Sequence, residues 1–204
     1  MKFYNSIGPN PRVVRMFMAE KGISIPAEQV DLLKGENRQA PHLSRNPHGQ
    51  MPTLELDDGS FVSEITAICE YLEDTHPKPA LIGANAKEKA ETRMWTRRID
   101  LNIVEPMANG FRYSEGLPLF QNRIVTLPEA AAGLKRIAQD RLKWLDGQMT
   151  DGREFVCGKR FTMADILLFA FIDFGNTVGQ KLDPELKNIN LWFARVKARP
   201  SASA

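Results

Sequence analysis

The chain has few residues that could hold a metal or form a disulfide. Its two cysteines, Cys69 and Cys157, lie far apart and form no CxxC pair. They therefore supply neither a disulfide framework nor a dithiol redox centre nor a zinc site. The three histidines, His42, His48 and His76, lie in polar segments without metal-ligand spacing, so we assign them no metal and no catalytic role. We expect each cysteine to be a small buried hydrophobic residue.

Long apolar runs and an excess of one charge are also missing. The best candidate for a membrane span, residues 166–172, is far shorter than the ~20 residues that a bilayer demands, and Asp173 closes it. No apolar segment of signal-peptide length follows Met1, so we expect a cytoplasmic protein that does not enter a membrane. The 27 Lys and Arg residues exceed the 25 Asp and Glu residues by only two, and the two signs are interleaved. This pattern argues against a nucleic-acid partner.

The composition fits an ordinary globular protein of one large or two small domains. Hydrophobic residues make up 43% of the 204 residues and charged residues 25%, which excludes intrinsic disorder. At about 150 residues per domain, this length leaves one or two domains as the starting range.

The first 78 residues read as an α/β unit. Their apolar spacing predicts a strand, a helix, a strand, a hairpin and a helix, at residues 2–5, 11–22, 28–31, 53–62 and 64–75. Asn10 before Pro11 is typical of a helix start, because Asn accepts a backbone hydrogen bond at the N-cap and Pro suits the first helical position. We place a domain at 1–78 and a linker at 79–86.

Beyond the linker the spacing is helical only, which predicts an all-helical domain at 87–204. The expected helices cover residues 86–111 with a kink at Pro106, 127–145, 162–176 and 190–199. Thr162 and Asp165 form a capping box pattern before the most apolar stretch of the chain.

Four segments together resemble the cytosolic glutathione transferase family, in its bacterial and fungal branch. They are PNPRVVRMFMAEKG at 9–22, NPHGQMPTLELDDG at 46–59, SEITAICEYLED at 63–74 and GKRFTMADI at 158–166. The resemblance covers essentially the whole chain. It implies a thioredoxin-like α/β N-terminal domain, an all-α C-terminal domain, glutathione as co-substrate without a metal, and a homodimer.

The resemblance assigns the backbone contacts of glutathione to Met51 and Pro52. These residues match the family's cis-proline turn, where the residue before proline pairs its N–H and C=O with the cysteinyl part of glutathione like an added strand. Because the contact is made by backbone, methionine is acceptable at this position. The alternative is that Pro52 simply ends a loop before a strand.

Glu64 and Ile65 fall where the family binds the γ-glutamyl end. An acid there meets the ammonium group, and free N–H groups at the helix start suit the carboxylate. The family commonly has serine after the acid, whereas this chain has Ile65, so a hydrogen bond to a charged group worth about 1.5–3 kcal/mol is missing. We therefore expect either weaker glutathione binding or a replacement of this hydrogen bond by Thr66. Glu64 could instead only stabilise the helix dipole.

Two polar loop residues, Asn37 and Gln50, occupy positions where relatives place groups near the glycyl carboxylate. The segment that carries them is long and polar, and both residue types are also ordinary in loops. We predict that both contact glutathione.

The group that stabilises the glutathione sulfur lies, by resemblance, between the first strand and the first helix. Ser6 is the only hydroxyl residue of the loop at 6–10, and Tyr4 is a strand residue. Asn10 is the second candidate, with the N-cap as its alternative role. A third possibility is that amides, a water and Arg112 stabilise the thiolate.

The wall of the co-substrate pocket is expected near the end of the first helix of the second domain. Met107, Phe111 and Tyr113 can form an adaptable apolar surface, and Arg112 can meet an anionic group. The alternatives are that the apolar residues are core and the arginine is solvated.

The resemblance therefore predicts a detoxifying glutathione transferase that conjugates the thiolate of glutathione to small hydrophobic electrophiles. A non-catalytic glutathione-binding or partner-binding module of the same fold is the alternative. Two departures leave it open: Ile65, and the position of Ser6, because the family's serine often lies nearer the helix, where this chain has Gly8. A thiol-disulfide oxidoreductase is disfavoured, because no loop cysteine can form a mixed disulfide. The natural electrophile is not predicted.

Overall fold

A computed structural model describes all 204 residues. The chain folds into two compact units. The first unit comprises Met1–Ile82 together with Pro200–Ala204, and the second comprises Gly83–Arg199. The division thus lies between Ile82 and Gly83, inside the expected linker at 79–86, and the last five residues return to the first unit.

The first unit is built on a four-stranded mixed sheet of β1 (Lys2–Asn5), β2 (Ala27–Gln29), β3 (Thr53–Glu55) and β4 (Phe61–Ser63), in the order β2-β1-β3-β4. Strand β2 runs parallel to β1, whereas the β1–β3 and β3–β4 pairs are antiparallel. The two longer helices, at Pro9–Lys21 and Ile65–Thr75, pack against each other. A short helix follows a 3-10 turn at Glu36–Arg38. The helices are α1 (Pro9–Lys21), α2 (Ala40–Leu43) and α3 (Ile65–Thr75).

The expected α/β order is confirmed because the apolar residues meet across the sheet. Phe3 in β1 lies opposite Leu54 in β3, and both are almost fully buried. The helical stripe predicted for α3 buries Ile68 and Leu72 completely. Gly22 ends α1 at φ 65, a left-handed conformation that glycine adopts without steric cost.

The start of α1 differs from the expectation. The helix begins at Pro9, and Gly8 precedes it at φ 104, so Asn10 is the second helical residue and not the N-cap. Proline suits the first helical position because its φ is fixed and it has no N–H to leave unpaired. Pro9 takes that position, and the prediction of Asn10 as a capping residue is wrong.

A buried ion pair fastens the chain beyond α3 to the helices of the first unit. Lys21 Nζ lies 2.6 Å from Glu73 Oε2, and both side chains are almost fully buried. The same ammonium donates to the carbonyls of His76 and Pro79 at 2.7 and 2.8 Å. The carboxylate accepts the N–H groups of residues 81 and 82. Each charge is therefore compensated, as a buried charge requires.

The second unit is all-helical. A five-residue π-helical stretch, Asp100–Val104, joins its first two helices, and a 3-10 turn at Pro128–Ala130 precedes its longest one. None of its helices, or of those in the first unit, combines the length and apolarity of a membrane span. The helices are α4 (Ala86–Ile99), α5 (Glu105–Arg112), α6 (Leu117–Phe120), α7 (Ala131–Gln148), α8 (Met163–Thr177) and α9 (Lys187–Lys197).

The irregularity expected at Pro106 lies one turn earlier, in the π-helical stretch. Pro106 has no N–H to donate to the carbonyl four residues before it, and its ring crowds that carbonyl. The helix therefore widens at Asp100–Val104 before α5 begins.

The capping box at the start of α8 is present. Asp165 Oδ2 accepts the N–H of Thr162 at 2.9 Å, and Asp165 Oδ1 accepts from the indole of Trp192 at 2.9 Å and from the N–H of Val156 at 2.8 Å. Burial raises the pKa of Asp165 to about 6, although these donors favour the ionised form. Asp165 thus joins α8, α9 and the loop before α8.

Both cysteines are buried, as expected, and no group of His, Cys, Asp or Glu side chains is arranged to hold a metal ion. Burial raises the pKa of the Cys69 and Cys157 thiols, which keeps them protonated.

Removing the acid of the buried ion pair should destabilise the protein strongly. We expect Glu73→Ala to lower the free energy of unfolding by about 3–5 kcal/mol, because Lys21 is left as an uncompensated buried charge. Urea denaturation at pH 7 measures the change. The control is Glu28→Gln, which breaks the exposed pair of Glu28 with Lys2 and should change stability little. Equal effects of the two variants would contradict this prediction.

The pKa of Asp165 predicts a pH dependence of stability. The folded state holds the proton of Asp165 up to about pH 6, whereas the unfolded chain releases it near pH 4. Stability from this group is therefore lost as pH rises from 4 to 6, by about 3 kcal/mol. Asp165→Asn lacks this titration, so the stability of the native protein relative to the variant should fall by that amount between pH 4 and 7. Parallel stability curves would show that Asp165 does not titrate in this range.

Candidate functional site

The turn before β3 exposes an unpaired stretch of backbone. The Met51–Pro52 peptide bond is cis, as predicted. Met51 is 7% exposed, yet its main-chain N–H and C=O make no hydrogen bond within the chain. Buried backbone groups are normally paired, so this turn offers a free edge to which an extended peptide could add.

The start of α3 offers a second set of free backbone donors. The N–H groups of Ile65, Thr66 and Ala67 have no acceptor, because no side chain caps this helix. With the positive end of the helix dipole, they form a site suited to a carboxylate. Glu64 directly before them adopts φ 69 and is the only non-glycine residue with positive φ. Such strained conformations cost about 1–3 kcal/mol and concentrate at binding sites.

The side chains at this helix start agree with the sequence expectation. Glu64 is exposed and free to meet a cation, whereas Ile65 offers only its N–H. Thr66 is exposed and its hydroxyl makes no hydrogen bond within the chain, so it can supply the hydroxyl that Ile65 lacks.

The two residues predicted near the glycyl carboxylate differ in burial and in hydrogen bonding. Asn37 is 3% exposed, and its Nδ2 donates to the carbonyl of Gly49 at 2.7 Å. This bond holds the loop, and the contact of Asn37 with a ligand stays a prediction. Gln50 is half-buried, and its side chain makes no hydrogen bond within the chain, so it remains a candidate.

Ser6 is already engaged elsewhere. It is 4% exposed, and its hydroxyl donates to the carbonyl of Val30 at 2.7 Å. A hydroxyl has one proton to donate, so the structure does not place Ser6 as the donor to a sulfur. Tyr4 is also committed, because its hydroxyl donates to Glu55 at 2.6 Å and its burial raises its pKa.

Asn10 is the polar group left at the amino end of α1. Among the first three helical residues it alone carries an N–H, because Pro9 and Pro11 have none. Its side chain is half-buried and makes no hydrogen bond within the chain. Asn10 can therefore offer both its N–H and its side-chain amide to an anion.

The residues proposed for the co-substrate wall belong to the second unit and differ in burial. Met107 is fully buried and packs against Gly175, so it is a core residue, as its alternative interpretation held. Phe111 is half-buried and lies edge-on to Phe120 and Phe174, with ring centroids 6.1 and 5.0 Å apart. The predicted wall therefore loses Met107 and retains Phe111.

Arg112 and Tyr113 lie at the end of α5. Arg112 donates to Asn109 Oδ1 at 2.9 Å and lies 5.7 Å from the ring of Phe120, and it has no carboxylate partner. A half-buried cation without a counter-ion is suited to an anionic group. Tyr113 is half-buried, and its hydroxyl is free.

The sequence did not reveal Arg15, which holds the loop between β1 and α1. Its guanidinium donates to Asn5 Oδ1 at 2.8 Å and to the carbonyl of Ser6 at 3.3 Å. Burial and the neighbouring charge of Arg12 lower the pKa of Arg15. An arginine within the apolar spacing of α1 was the one available signal.

Comparisons with known proteins agree with this geometry. Models of the glutathione S-transferase N-terminal and C-terminal domains match residues 7–75 and 119–200. Glutathione S-transferase 2 of Saccharomyces cerevisiae is 32% identical over 201 residues, which cover 95% of this chain and 84% of the relative. The structure of a glutathione S-transferase domain-containing protein from Marinobacter aquaeolei superimposes with a TM-score of 0.92 at 33% identity, and covers 98% of this chain and 99% of its own. The structure of Gtt2 from S. cerevisiae gives 0.92 at 30% identity, with 100% and 99% covered.

The hydrogen bonds of the β1–α1 loop predict different effects for its two candidate residues. Ser6→Ala should lower the free energy of unfolding by about 1 kcal/mol, through the lost bond to Val30, and leave turnover with glutathione largely unchanged. If Asn10 is the donor to the thiolate, Asn10→Ala should reduce turnover about tenfold or more, because that donor is lost. Steady-state kinetics and urea denaturation of both variants measure these effects. A loss of about a hundredfold in Ser6→Ala would return Ser6 to the catalytic role.

Proposed function

This chain belongs to the glutathione S-transferase family, and we propose that it conjugates the thiolate of glutathione to small hydrophobic electrophiles. The observation that carries the proposal is the unpaired main chain of Met51 in the unit that also holds the uncapped start of α3. These two features supply what the two ends of a γ-glutamylcysteinyl group need: a backbone edge and a carboxylate site.

Binding of glutathione is assigned to the first unit. The γ-glutamyl carboxylate accepts the free N–H groups of Ile65 and Thr66, and Glu64 meets the ammonium group. Met51 pairs with the cysteinyl backbone as an added strand, and Pro52 fixes the direction in which the chain leaves the turn. Gln50 is the remaining side chain proposed near the glycyl carboxylate.

Activation of the thiol needs a moderate free energy. A thiol with a pKa of about 8.5 is only a few per cent ionised at neutral pH, and lowering it by about two units takes about 2.7 kcal/mol. One hydrogen bond to a charged group contributes about 1.5–3 kcal/mol, and a helix end about 0.3–1 kcal/mol. Asn10 at the amino end of α1 can supply both contributions.

The second unit is proposed to hold the electrophile. Phe111 and Tyr113 provide apolar and aromatic surface, and Arg112 provides a cation for an anionic substituent. The bound thiolate attacks an electrophilic carbon of this molecule, forms a carbon–sulfur bond and expels the leaving group with the bonding electron pair. We also propose that the enzyme is a cytoplasmic homodimer.

Turnover and binding assays test the proposed function separately. Incubation with glutathione and a chromogenic aryl halide should release the conjugate, and the protein should be retained on glutathione resin. Retention without turnover of any of a panel of electrophiles would instead favour the non-catalytic module, an alternative supported by Ile65 and by the engaged hydroxyl of Ser6. Absence of both retention and turnover would overturn the proposal.

The departure at Ile65 predicts a gain of affinity. Ile65→Ser adds a hydroxyl beside the bound carboxylate, and a hydrogen bond to a charged group should tighten glutathione binding about tenfold. Isothermal titration calorimetry measures the dissociation constant. Ile65→Val is the matched control, because it shortens the side chain without adding a hydroxyl. The same gain in both variants would refute the missing hydrogen bond, and no gain in Ile65→Ser would indicate that Thr66 already supplies it.

A further inference from the structure

The turn that carries Met51 is held by side chains instead of by a backbone ladder. The carbonyls of residues 48, 49 and 50 each accept a hydrogen bond from a side chain of residues 37–46. Because these three carbonyls follow one another directly, the orientation of each peptide plane before Met51 is set from the segment around α2.

The last of these carbonyls, that of Gln50, is bound twice. His42 Nε2 lies 3.1 Å from it and Asn46 Nδ2 lies 2.9 Å from it. A carbonyl oxygen only accepts, so His42 must carry its proton on Nε2. Asn46 is itself fixed, because its Oδ1 accepts the N–H of His48 at 3.2 Å.

These two hydrogen bonds to the Gln50 carbonyl determine where the N–H of Met51 points. The C=O of residue 50 and the N–H of residue 51 belong to one planar unit, and in a trans peptide they point in opposite directions. The bond between these two residues is not among the cis peptide bonds of the chain. Two donors that fix the carbonyl therefore turn the Met51 N–H away from His42 and Asn46, and this N–H has no partner in the chain.

Burying the two polar donors, His42 and Asn46, does not by itself favour the folded state. His42 is 2% exposed and its Nδ1 has no hydrogen-bond partner, and Asn46 is 3% exposed. A buried polar atom without a partner destabilises the folded protein. The buried imidazole therefore makes its hydrogen bond to the Gln50 carbonyl through its other nitrogen.

We propose that His42 and Asn46 are positioning residues for glutathione, because together they aim the Met51 N–H at the carbonyl of the cysteinyl residue. This inference rests on the proposed function. Neither side chain touches the ligand; both act through the Gln50–Met51 peptide plane. The resulting specificity is for ligands with a carbonyl on the carbon that carries the CH2SH side chain.

Two variants remove one donor each with little change in shape. Asn46→Asp keeps the oxygen that accepts the His48 N–H but replaces the Nδ2 donor with an oxygen that repels the Gln50 carbonyl. His42→Leu removes the other donor. His42→Gln is the rescue variant, because its Nε2 can donate to the same carbonyl. Thr53→Val is the control: Thr53 is fully buried next to Pro52, and its hydroxyl has no partner to lose.

Calorimetric titration with two ligands that lack the glycyl carboxylate separates an effect on the Met51 N–H from a loss of protein stability. γ-Glutamylcysteinamide keeps the cysteinyl carbonyl and γ-glutamylcysteamine lacks it. We expect Asn46→Asp and His42→Leu to bind the first ligand about tenfold more weakly and the second almost unchanged. His42→Gln should recover most of the affinity, and Thr53→Val should match the native protein. Thermal unfolding identifies any variant that does not fold, and the other variant then decides.

The outcomes distinguish this inference from the function on which it rests. If the native protein binds neither ligand nor glutathione, the proposed function fails. If the native protein binds glutathione but the variants lose affinity for both ligands equally, or for neither, the function stands and the positioning role of His42 and Asn46 is overturned.

Discussion

The proposed chemistry depends on one backbone group, the main-chain N–H of Met51, which is held in place but left without a partner. A protein interior tolerates few such groups, because an unpaired buried donor loses its hydrogen bond to water without replacement. The fold leaves it free by turning the preceding carbonyl of Gln50 toward the α2 segment. A peptide with an acceptor at the right distance can then pair with the turn that precedes β3.

The contrast with other buried polar groups makes this turn informative. The Lys21–Glu73 pair and the carboxylate of Asp165 are each saturated with partners from the chain. Those clusters hold elements together and leave nothing over for a ligand. At Met51 and at the start of α3, by contrast, backbone N–H donors remain open. Where the chain satisfies its polar groups it builds the fold, and where it leaves them open it forms a site that a peptide ligand can occupy.

Sequence patterns predicted the elements well but not the details at their ends. Apolar spacing gave the sheet, α1, α3 and the helical second unit, because burial of one face is written into the sequence directly. The predicted start of α1 is wrong because two prolines, Pro9 and Pro11, both suit the first helical position. The helix begins at Pro9, before the Asn10–Pro11 pair. The sequence predicts the irregularity at Pro106, whereas it lies in the π-helical stretch before α5. Proline acts on the preceding turn, because the carbonyl four residues before it loses its N–H donor.

For the candidate site, the sequence by itself determined the family resemblance, the turn at Met51–Pro52 and the position of Glu64 and Ile65, because these depend on neighbouring residues in a short motif. Only the tertiary structure decided which polar side chains are free. The hydroxyl of Ser6 is bound to the carbonyl of Val30, 24 residues away, and the amide of Asn37 to that of Gly49. His42 gained its position from the folding of the α2 segment onto the turn. A hydrogen bond between distant residues has no signature in either residue alone, so the availability of a donor is a property of the fold.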